Sequence, residues 1–124
     1  MARVRQSSTA PEQAVAVKLR ELGHAYRRNV RTLPGSPDFA NKTRKWAIFV
    51  HGCYWHHHEG CRRATIPKTN TAFWTLKFEQ NIERDRRAVA ELDAVGYTVL
   101  VIWECELTDV LSEKLANFFE PRRI

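Results

Sequence analysis

The chain has 124 residues, of which 44% are hydrophobic and 27% charged, a composition typical of a soluble globular protein of one domain. Its longest uninterrupted apolar runs are five residues, too short for a helix that crosses a membrane. Twenty lysines and arginines stand against 14 aspartates and glutamates, and this net charge of +6 favours a polyanionic partner. We predict a single domain over residues 1–124, with a flexible basic arm at 1–8, no signal peptide and a cytoplasmic location.

The first half of the chain predicts one helix and three extended segments. The sequence TAPE at 9–12 has the pattern of a capping box with a proline in the first turn, so a helix begins there, and Gly23 suits its end. Residues 25–31 predict a first strand, and a second extended segment begins at Asp38. The continuous apolar run 46–50 is typical of a strand that is covered on both faces.

The second half predicts an α/β arrangement. Residues 71–95 indicate a long helix, 97–103 a second buried strand and 109–119 an amphipathic helix. The apolar strand, the long helix and the second strand form a βαβ unit, whose two strands are expected to be parallel. Parallel strands end at the same edge of a sheet. Cys105, just after the second strand, is therefore expected close to Cys53, just after the first.

The segment 50–61 is rich in potential metal ligands, with four of the five histidines and two of the three cysteines. A C-x4-H-x2-C spacing is formed by Cys53, His58 and Cys61. Thiolates and imidazole are the donors of a tetrahedral zinc site, and Cys105 is the expected fourth ligand. The sequence thus predicts a structural zinc site, with buried free thiols as the alternative.

One carboxylate interrupts the apolar stripe of the long helix. The stripe is formed by Trp74, Phe78, Ile82, Val89 and Leu92. Asp85 occupies a position on this stripe, and a carboxylate that faces a core is costly unless it is paired. We expect it to pair with His51, directly after the apolar strand, and to fix the tautomer of that imidazole. An ordinary pair with an arginine or a backbone group is the alternative.

Five motifs together resemble the very short patch repair endonucleases, which nick DNA at T:G mismatches. The resemblance runs from about Glu12 to Leu107, and its motifs are LPGSPDF (33–39), HGCYWHHH (51–58), FW (73–74), NIERDRR (81–87) and VIWEC (101–105). It implies a restriction-endonuclease-like α/β fold, with a central mixed β-sheet flanked by helices and a structural zinc loop. It also implies a monomer that acts on double-stranded DNA with a T:G mismatch, requires Mg²⁺ and has mismatch-repair proteins as further partners.

The resemblance also implies roles for individual residues. Asp38 resembles the magnesium-binding carboxylate, with the backbone carbonyl of Val50 as the other protein ligand. His56 resembles the histidine that activates the attacking water. His51 resembles the second catalytic histidine, oriented by Asp85.

Further positions match the family's acidic, zinc and DNA-contacting residues. Glu12 matches an acidic residue near the water shell of the magnesium, although the capping box alone accounts for a glutamate there. The structural zinc ligands are matched by Cys53, His58, Cys61 and Cys105. One extra residue before Cys61 leaves His57 as an alternative to His58. The aromatic residues that wedge into the duplex are matched by Tyr54, Trp55 and Trp74.

Two other protein classes compete with this interpretation. A non-catalytic, zinc-stapled DNA-binding module explains the charge, the zinc ligands and the aromatic residues. It gives no role to Asp38, His51, His56 and Asp85. A zinc-supported nuclease of the HNH type conflicts with the parallel βαβ pattern. Trp74 also has a simpler explanation, since aromatic residues on a helix stripe are often part of the core.

Overall fold

The computed structural model describes residues 10–53, 56, 58, 60–62, 64–107 and 109–119, and its centre is a mixed four-stranded β-sheet. The strands are β1 (Arg27–Arg28), β2 (Phe39–Asn41), β3 (Trp46–His51) and β4 (Thr98–Trp103), in that spatial order. β1 and β2 pair antiparallel, as do β2 and β3, whereas β3 and β4 are parallel. The parallel arrangement of the two apolar strands is therefore confirmed.

Helices cover both faces of this sheet. They are α1 (Ala10–Glu21), α2 (Thr71–Ala94) and α3 (Asp109–Phe119), and a short 3₁₀ turn, Glu104–Glu106, follows β4. As α2 connects β3 to β4, it is the crossover of the predicted βαβ unit. Among the described residues, no helix is both long enough and apolar enough to span a membrane.

Alternate residues of β3 face opposite sides, and this divides the core in two. Trp46 and Ile48 pack in one cluster with α1 and α3, through residues such as Leu19 and Leu115. Ala47 and Phe49 pack in a second cluster with α2, through Ala88 and Leu92. Because side chains alternate along a strand, His51 lies on the α2 side of the sheet and Val50 on the α1 side.

The first strand is shorter than predicted, whereas the first helix ends where it was expected. The first strand has only two residues, and Asn29, which follows it, takes a left-handed conformation with φ 51° that breaks the regular strand geometry. α1 ends at Glu21, so Leu22, the next residue, is 44% exposed. The predicted end at Gly23 is confirmed, since its φ is +81° and its N–H donates to the carbonyl of Arg20 at 3.0 Å. The capping threonine at 9 lies outside the described residues.

Gly35 brings the loop between β1 and β2 directly against α2. Its φ is +74°, and a Cβ at this position would lie 2.5 Å from Cβ of Ala88 and 3.1 Å from the ring of Phe49. Gly23 has a similar φ of +81° but open space around it. Only glycine therefore fits at residue 35, where the chain leads into Asp38.

We expect Gly35→Ala to destabilise the protein by about 2–3 kcal/mol, because it combines an unfavourable φ with overpacking. Gly23→Ala is the matched control and carries only the conformational cost, about 1 kcal/mol. Urea unfolding of the two variants and the wild type measures both effects. Equal losses for the two variants would show that the close approach to Ala88 costs nothing.

Candidate active site

The adjacent ends of β3 and β4 form the edge on which the candidate site is built. His51 pairs in register with Trp103, the last residue of β4. Both side chains lie on the α2 side of the sheet, and their rings meet edge to face at 5.1 Å. Residues 52–62 follow β3 in the sequence, and the 3₁₀ turn follows β4.

The predicted approach of Cys105 to Cys53 at this edge is confirmed. One potential ligand atom from each of four residues lies within 4.8 Å of the others, in the cluster Cys53, His58, Cys61 and Cys105. Nδ1 of His58 is 3.7 Å from Sγ of Cys53 and 3.5 Å from Sγ of Cys105. Tetrahedral zinc with ordinary Zn–S and Zn–N bonds requires an S···N separation of about 3.6 Å. The cluster therefore fits a zinc ion.

Burial and hydrogen bonds support the same conclusion. Burial raises the pKa of the Cys53 thiol to about 11, and the neighbouring thiols of Cys105 and Cys61 also raise it. A thiolate at this position needs a cation beside it. The backbone N–H of Cys53 donates to Glu104 at 3.4 Å, which ties the start of the loop to the end of β4.

Glu106 fixes the turn that carries Cys105. Its carboxylate accepts the backbone N–H of Trp103 at 2.8 Å and the ammonium of Lys114 on α3 at 2.7 Å. Burial acts to raise the pKa of Glu106, but these two partners hold it below its usual value. The charged form is thus favoured, and it joins β4, the turn and α3.

We expect Cys105→Ser to lose bound zinc and to lower the melting temperature together, because metal binding contributes directly to the stability of such a cluster. Metal analysis and thermal unfolding of the purified variant measure the two effects. Wild-type protein treated with a chelator should melt at the temperature of the variant. Active wild-type protein that contains no zinc would contradict the assignment.

A pair of carboxyl groups lies on the other side of β3. Asp38, just before β2, accepts the backbone N–H of Val50 at 2.7 Å through Oδ2. Glu12, in the first turn of α1, is 7% exposed, and its carboxyl group hydrogen-bonds that of Asp38. Arg28 of β1 contacts Glu12 in turn, with Nη2 3.2 Å from Oε1. Two neighbouring carboxyl groups in a buried setting are a suitable site for a divalent cation.

The pKa of Asp38 is raised by burial and by the neighbouring carboxyl group. Burial raises its pKa to about 7, the charge and hydrogen bond of Glu12 raise it too, and the N–H of Val50 and the charge of His56 oppose the rise. A bound cation would reverse the effect, since it favours both carboxylates. The donor set therefore fits Mg²⁺, which prefers carboxylate and carbonyl oxygens.

Asp85 pairs with His56, so the predicted pair with His51 is wrong. Oδ2 of Asp85 lies 2.6 Å from Nδ1 of His56. The imidazole of His51 instead stacks on that of His56, with ring centroids 3.8 Å apart and planes within 4°. The prediction placed Asp85 correctly on the face of α2 that meets β3, but the loop after His51 inserts a second histidine between them.

His51 is held neutral in this stack. It is 6% exposed, and burial lowers its pKa to about 4, with the adjacent His56 lowering it further and Asp85 opposing the shift. Among the described residues, its Nδ1 has no hydrogen-bond partner. A neutral ring beside His56 adds no like charge to it. His51 therefore leaves His56 free to accept a proton.

Trp103 connects the histidine pair to the cysteine and histidine cluster. Its ring stacks on that of His58 at 4.1 Å and 5°, and it meets His51 and His56 edge to face at 5.1 and 6.4 Å. All four rings, together with Asp85, line a cleft of about 520 Å³. The position of the cluster thus influences the position of His56.

The remaining predicted residues are only partly described. Trp74 is partly buried and contacts the rings of Phe73 and Phe78 at 5.2 and 5.9 Å. Ile82, predicted to face the core, is instead 42% exposed and lines the same cleft as Asp85. The predictions for Tyr54, Trp55 and His57 lie outside the described residues.

Two residues of the site carried no predicted role. Arg28 contacts Glu12, and the available signal was the concentration of three arginines in 27–31. Trp103 lies between two sets of histidines, and the signal was an aromatic residue two positions before a cysteine ligand. Both depend on contacts between distant parts of the chain, which sequence spacing does not reveal.

Comparisons with known proteins agree on one family. The family described as DNA mismatch endonuclease Vsr matches residues 1–63. Type II nicking enzyme V.XorIIP of Xanthomonas oryzae pv. oryzae is 42% identical over 123 residues, which span 98% of this chain and 90% of that protein. DNA mismatch endonuclease Vsr of Escherichia coli K12 is 42% identical over 117 residues, 89% of this chain and 74% of that protein. Type II nicking enzyme V.NmeAIP of Neisseria meningitidis is 40% identical over 107 residues, 86% and 76% of the two chains.

Proposed function

We propose that this chain, which belongs to the Vsr family of DNA mismatch endonucleases, nicks one strand of duplex DNA at a T:G mismatch. The nick lies immediately 5′ to the thymine. Such a mismatch arises when 5-methylcytosine is deaminated. The observation that carries the proposal is the arrangement at the sheet edge. A pair of carboxyl groups, from partly buried Asp38 and buried Glu12, lies near a histidine that a third carboxylate contacts.

Asp38 and Glu12, with the backbone carbonyl of Val50, are the groups that would hold Mg²⁺. When bound, the ion screens the charge of the scissile phosphate and stabilises the charge that develops as the 3′ oxygen departs. The raised pKa of Asp38 supports this role, because the pair has a strong preference for a proton or a cation.

His56 is the proposed general base. Nδ1–H of His56 donates a hydrogen bond to the carboxylate of Asp85, so Nε2 carries the lone pair and takes a proton from the attacking water. The oxygen of that water forms a bond to phosphorus, the bond from phosphorus to the 3′ oxygen breaks, and the departing oxygen takes up a proton from solvent. The products are a 3′ hydroxyl and a 5′ phosphate.

His51 and the zinc cluster hold His56 in place. The stacked ring of His51 restricts the plane of the His56 imidazole, and its low pKa keeps it from competing for a positive charge. A zinc ion held by these four protein ligands would have no open position, and its role would be structural. Trp103 transmits that rigidity through its stack on His58.

Aromatic residues are proposed to select the mismatch. Tyr54, Trp55 and Trp74 insert beside the mispaired bases, at a cost of about a few kcal/mol for unstacking that is smallest where the pairing is already poor. Tyr54 and Trp55 directly precede His56 in the sequence, so recognition and hydrolysis share one loop. One site per chain implies a monomer that cuts one strand.

The test uses end-labelled duplexes that differ only in having T:G, T:A or C:G at one position, in several sequence contexts and with Mg²⁺. We expect the thymine strand of the T:G duplex to be nicked preferentially, and His56→Ala to abolish the nick. Equal cutting of all three duplexes would leave a nuclease without mismatch specificity. Binding without cutting in every context would instead favour the DNA-binding module.

A further inference from the structure

A basic groove runs along the edge of the sheet formed by β1 and β2. Residues 25–32 and 40–43 line it, and its volume is about 970 Å³. Its four cationic side chains are Arg27, Arg28, Arg31 and Lys42, and none of its lining residues is acidic. We refer to it as the hairpin groove.

Among the described residues, the cations of the hairpin groove have few acidic partners, in contrast to those of two charged stretches on the helices. Elsewhere, Lys18 pairs with Glu21, and Arg86 and Arg87 both pair with Glu83. Within the groove, only Arg28 has an ion pair to a described residue, its contact with Glu12.

The other groove cations are free to bind an external anion. Arg27, Arg31 and Lys42 are exposed, and the ammonium of Lys42 donates to the hydroxyl of Thr32 at 2.8 Å, a neutral partner. Their positive charge is therefore available to a ligand in solution.

The hairpin groove is continuous with the candidate active site. Arg28 contributes to the lining of the groove and also contacts Glu12, which hydrogen-bonds Asp38. The neighbouring Asn29 donates its backbone N–H to the carbonyl of Asp38 at 3.0 Å. The ring of Phe39 lies 5.2 Å from the guanidinium of Arg28 and limits its movement. An anionic polymer bound at Asp38 thus reaches the groove directly.

We propose that the hairpin groove binds the sugar-phosphate backbone of the DNA duplex flanking the nicked position, through Arg27, Arg31 and Lys42. The proposal rests on the proposed function, since it assumes that the scissile phosphate lies at Asp38. Exposed cations without acidic partners gain most from phosphates, because binding releases the counterions of the DNA. Contacts of this kind position a duplex but do not read its sequence.

The first experiment measures the salt dependence of binding to a short T:G duplex without added Mg²⁺. Each phosphate contact contributes about 0.9 to the slope of log K against log salt concentration. The triple variant Arg27→Gln, Arg31→Gln, Lys42→Gln should therefore reduce the slope by about 2–3. Lys18→Gln is the matched control, because it removes a charge that Glu21 already offsets at 3.2 Å, and it should keep the wild-type slope.

The second experiment separates positioning from chemistry. The triple variant should raise KM for nicking at least about tenfold and leave kcat within about threefold, as expected for contacts made equally in the ground and transition states. Neutral methylphosphonates placed one at a time along the duplex should weaken wild-type binding at a few flanking positions. At those positions, the same methylphosphonates should not weaken DNA binding by the triple variant any further.

A slope that is the same in the wild type and the triple variant would overturn the proposal. Methylphosphonate effects that simply add to the effect of the triple variant at every position would overturn it as well. The binding measurements do not depend on cleavage. If the duplex is bound but never nicked, the proposed function is wrong. The proposal for the hairpin groove is then still tested by the salt dependence of binding.

Discussion

Asp38→Asn is expected to reduce nicking at least about a thousandfold, because it removes a charged ligand from the proposed magnesium site. The amide oxygen can still accept the N–H of Val50, which bonds Oδ2 of Asp38 at 2.7 Å, so the fold is retained. Initial rates on the T:G duplex, measured over a range of Mg²⁺ concentrations, give the loss. Wild-type rates in the variant would remove Asp38 from the metal site.

The same variant should be more stable than the wild type in the absence of Mg²⁺. The folded protein keeps the Asp38 proton up to a pH of about 7, whereas the unfolded chain releases it near pH 4. The uptake of a proton by Asp38 therefore stabilises the folded protein below about pH 4. This stabilisation is lost as the pH rises to about 7. At pH 8, Asp38→Asn should gain at least about 1 kcal/mol, and thermal unfolding at several pH values measures it.

Glu21→Gln is the control for the stability measurement. Glu21 is an exposed carboxylate near the end of α1, 3.2 Å from Lys18, so its neutralisation should neither stabilise the protein nor slow nicking. If Asp38→Asn is less stable than the wild type at pH 8 without Mg²⁺, the ionised carboxylate of Asp38 does not destabilise the folded protein.

Asp85→Asn is expected to slow nicking about 10²- to 10⁴-fold with little change in DNA affinity. An amide that donates to Nδ1 of His56 selects the tautomer in which Nε2 carries the proton and has no lone pair for the water. The exposed Asp93 on the same helix offers a matched control in Asp93→Asn, which should nick at the wild-type rate.

Stability and binding distinguish this role from a structural one. Asp85→Asn should melt near the wild-type temperature and bind the T:G duplex with unchanged affinity, so the loss appears in kcat alone. An unfolded variant would make Asp85 a structural residue. A wild-type rate would mean that the contact with His56 has no catalytic role.

The sheet and the cysteine and histidine cluster at its edge were predictable because each depends on a simple rule. The apolar runs of β3 and β4 identify buried strands, and the intervening helix makes them parallel. Once they are parallel, Cys53 and Cys105 have to meet at one edge. The restriction-endonuclease-like class, a mixed sheet flanked by helices, is confirmed by the strand order and by the family.

The partners within the site were not predictable in the same way. Periodicity placed Asp85 on the inner face of α2, but the choice between His51 and His56 depends on how residues 52–58 fold around the cluster. The exposure of Ile82 has a similar origin, because that part of α2 faces the cleft rather than the core. Spacing gives the face of a helix, whereas the shape of a loop depends on the groups that it binds.

The chain order of the parallel pair has a consequence for synthesis. Asp38, His51, His56 and Asp85 all leave the ribosome before β4 and Cys105, and β4 is the parallel neighbour of β3. A nascent chain that ends before residue 105 therefore has the reactive groups of the proposed mechanism but lacks the last ligand and the tryptophan that holds His58. We therefore expect the site to be completed only when β4 and Cys105 have been made, late in synthesis.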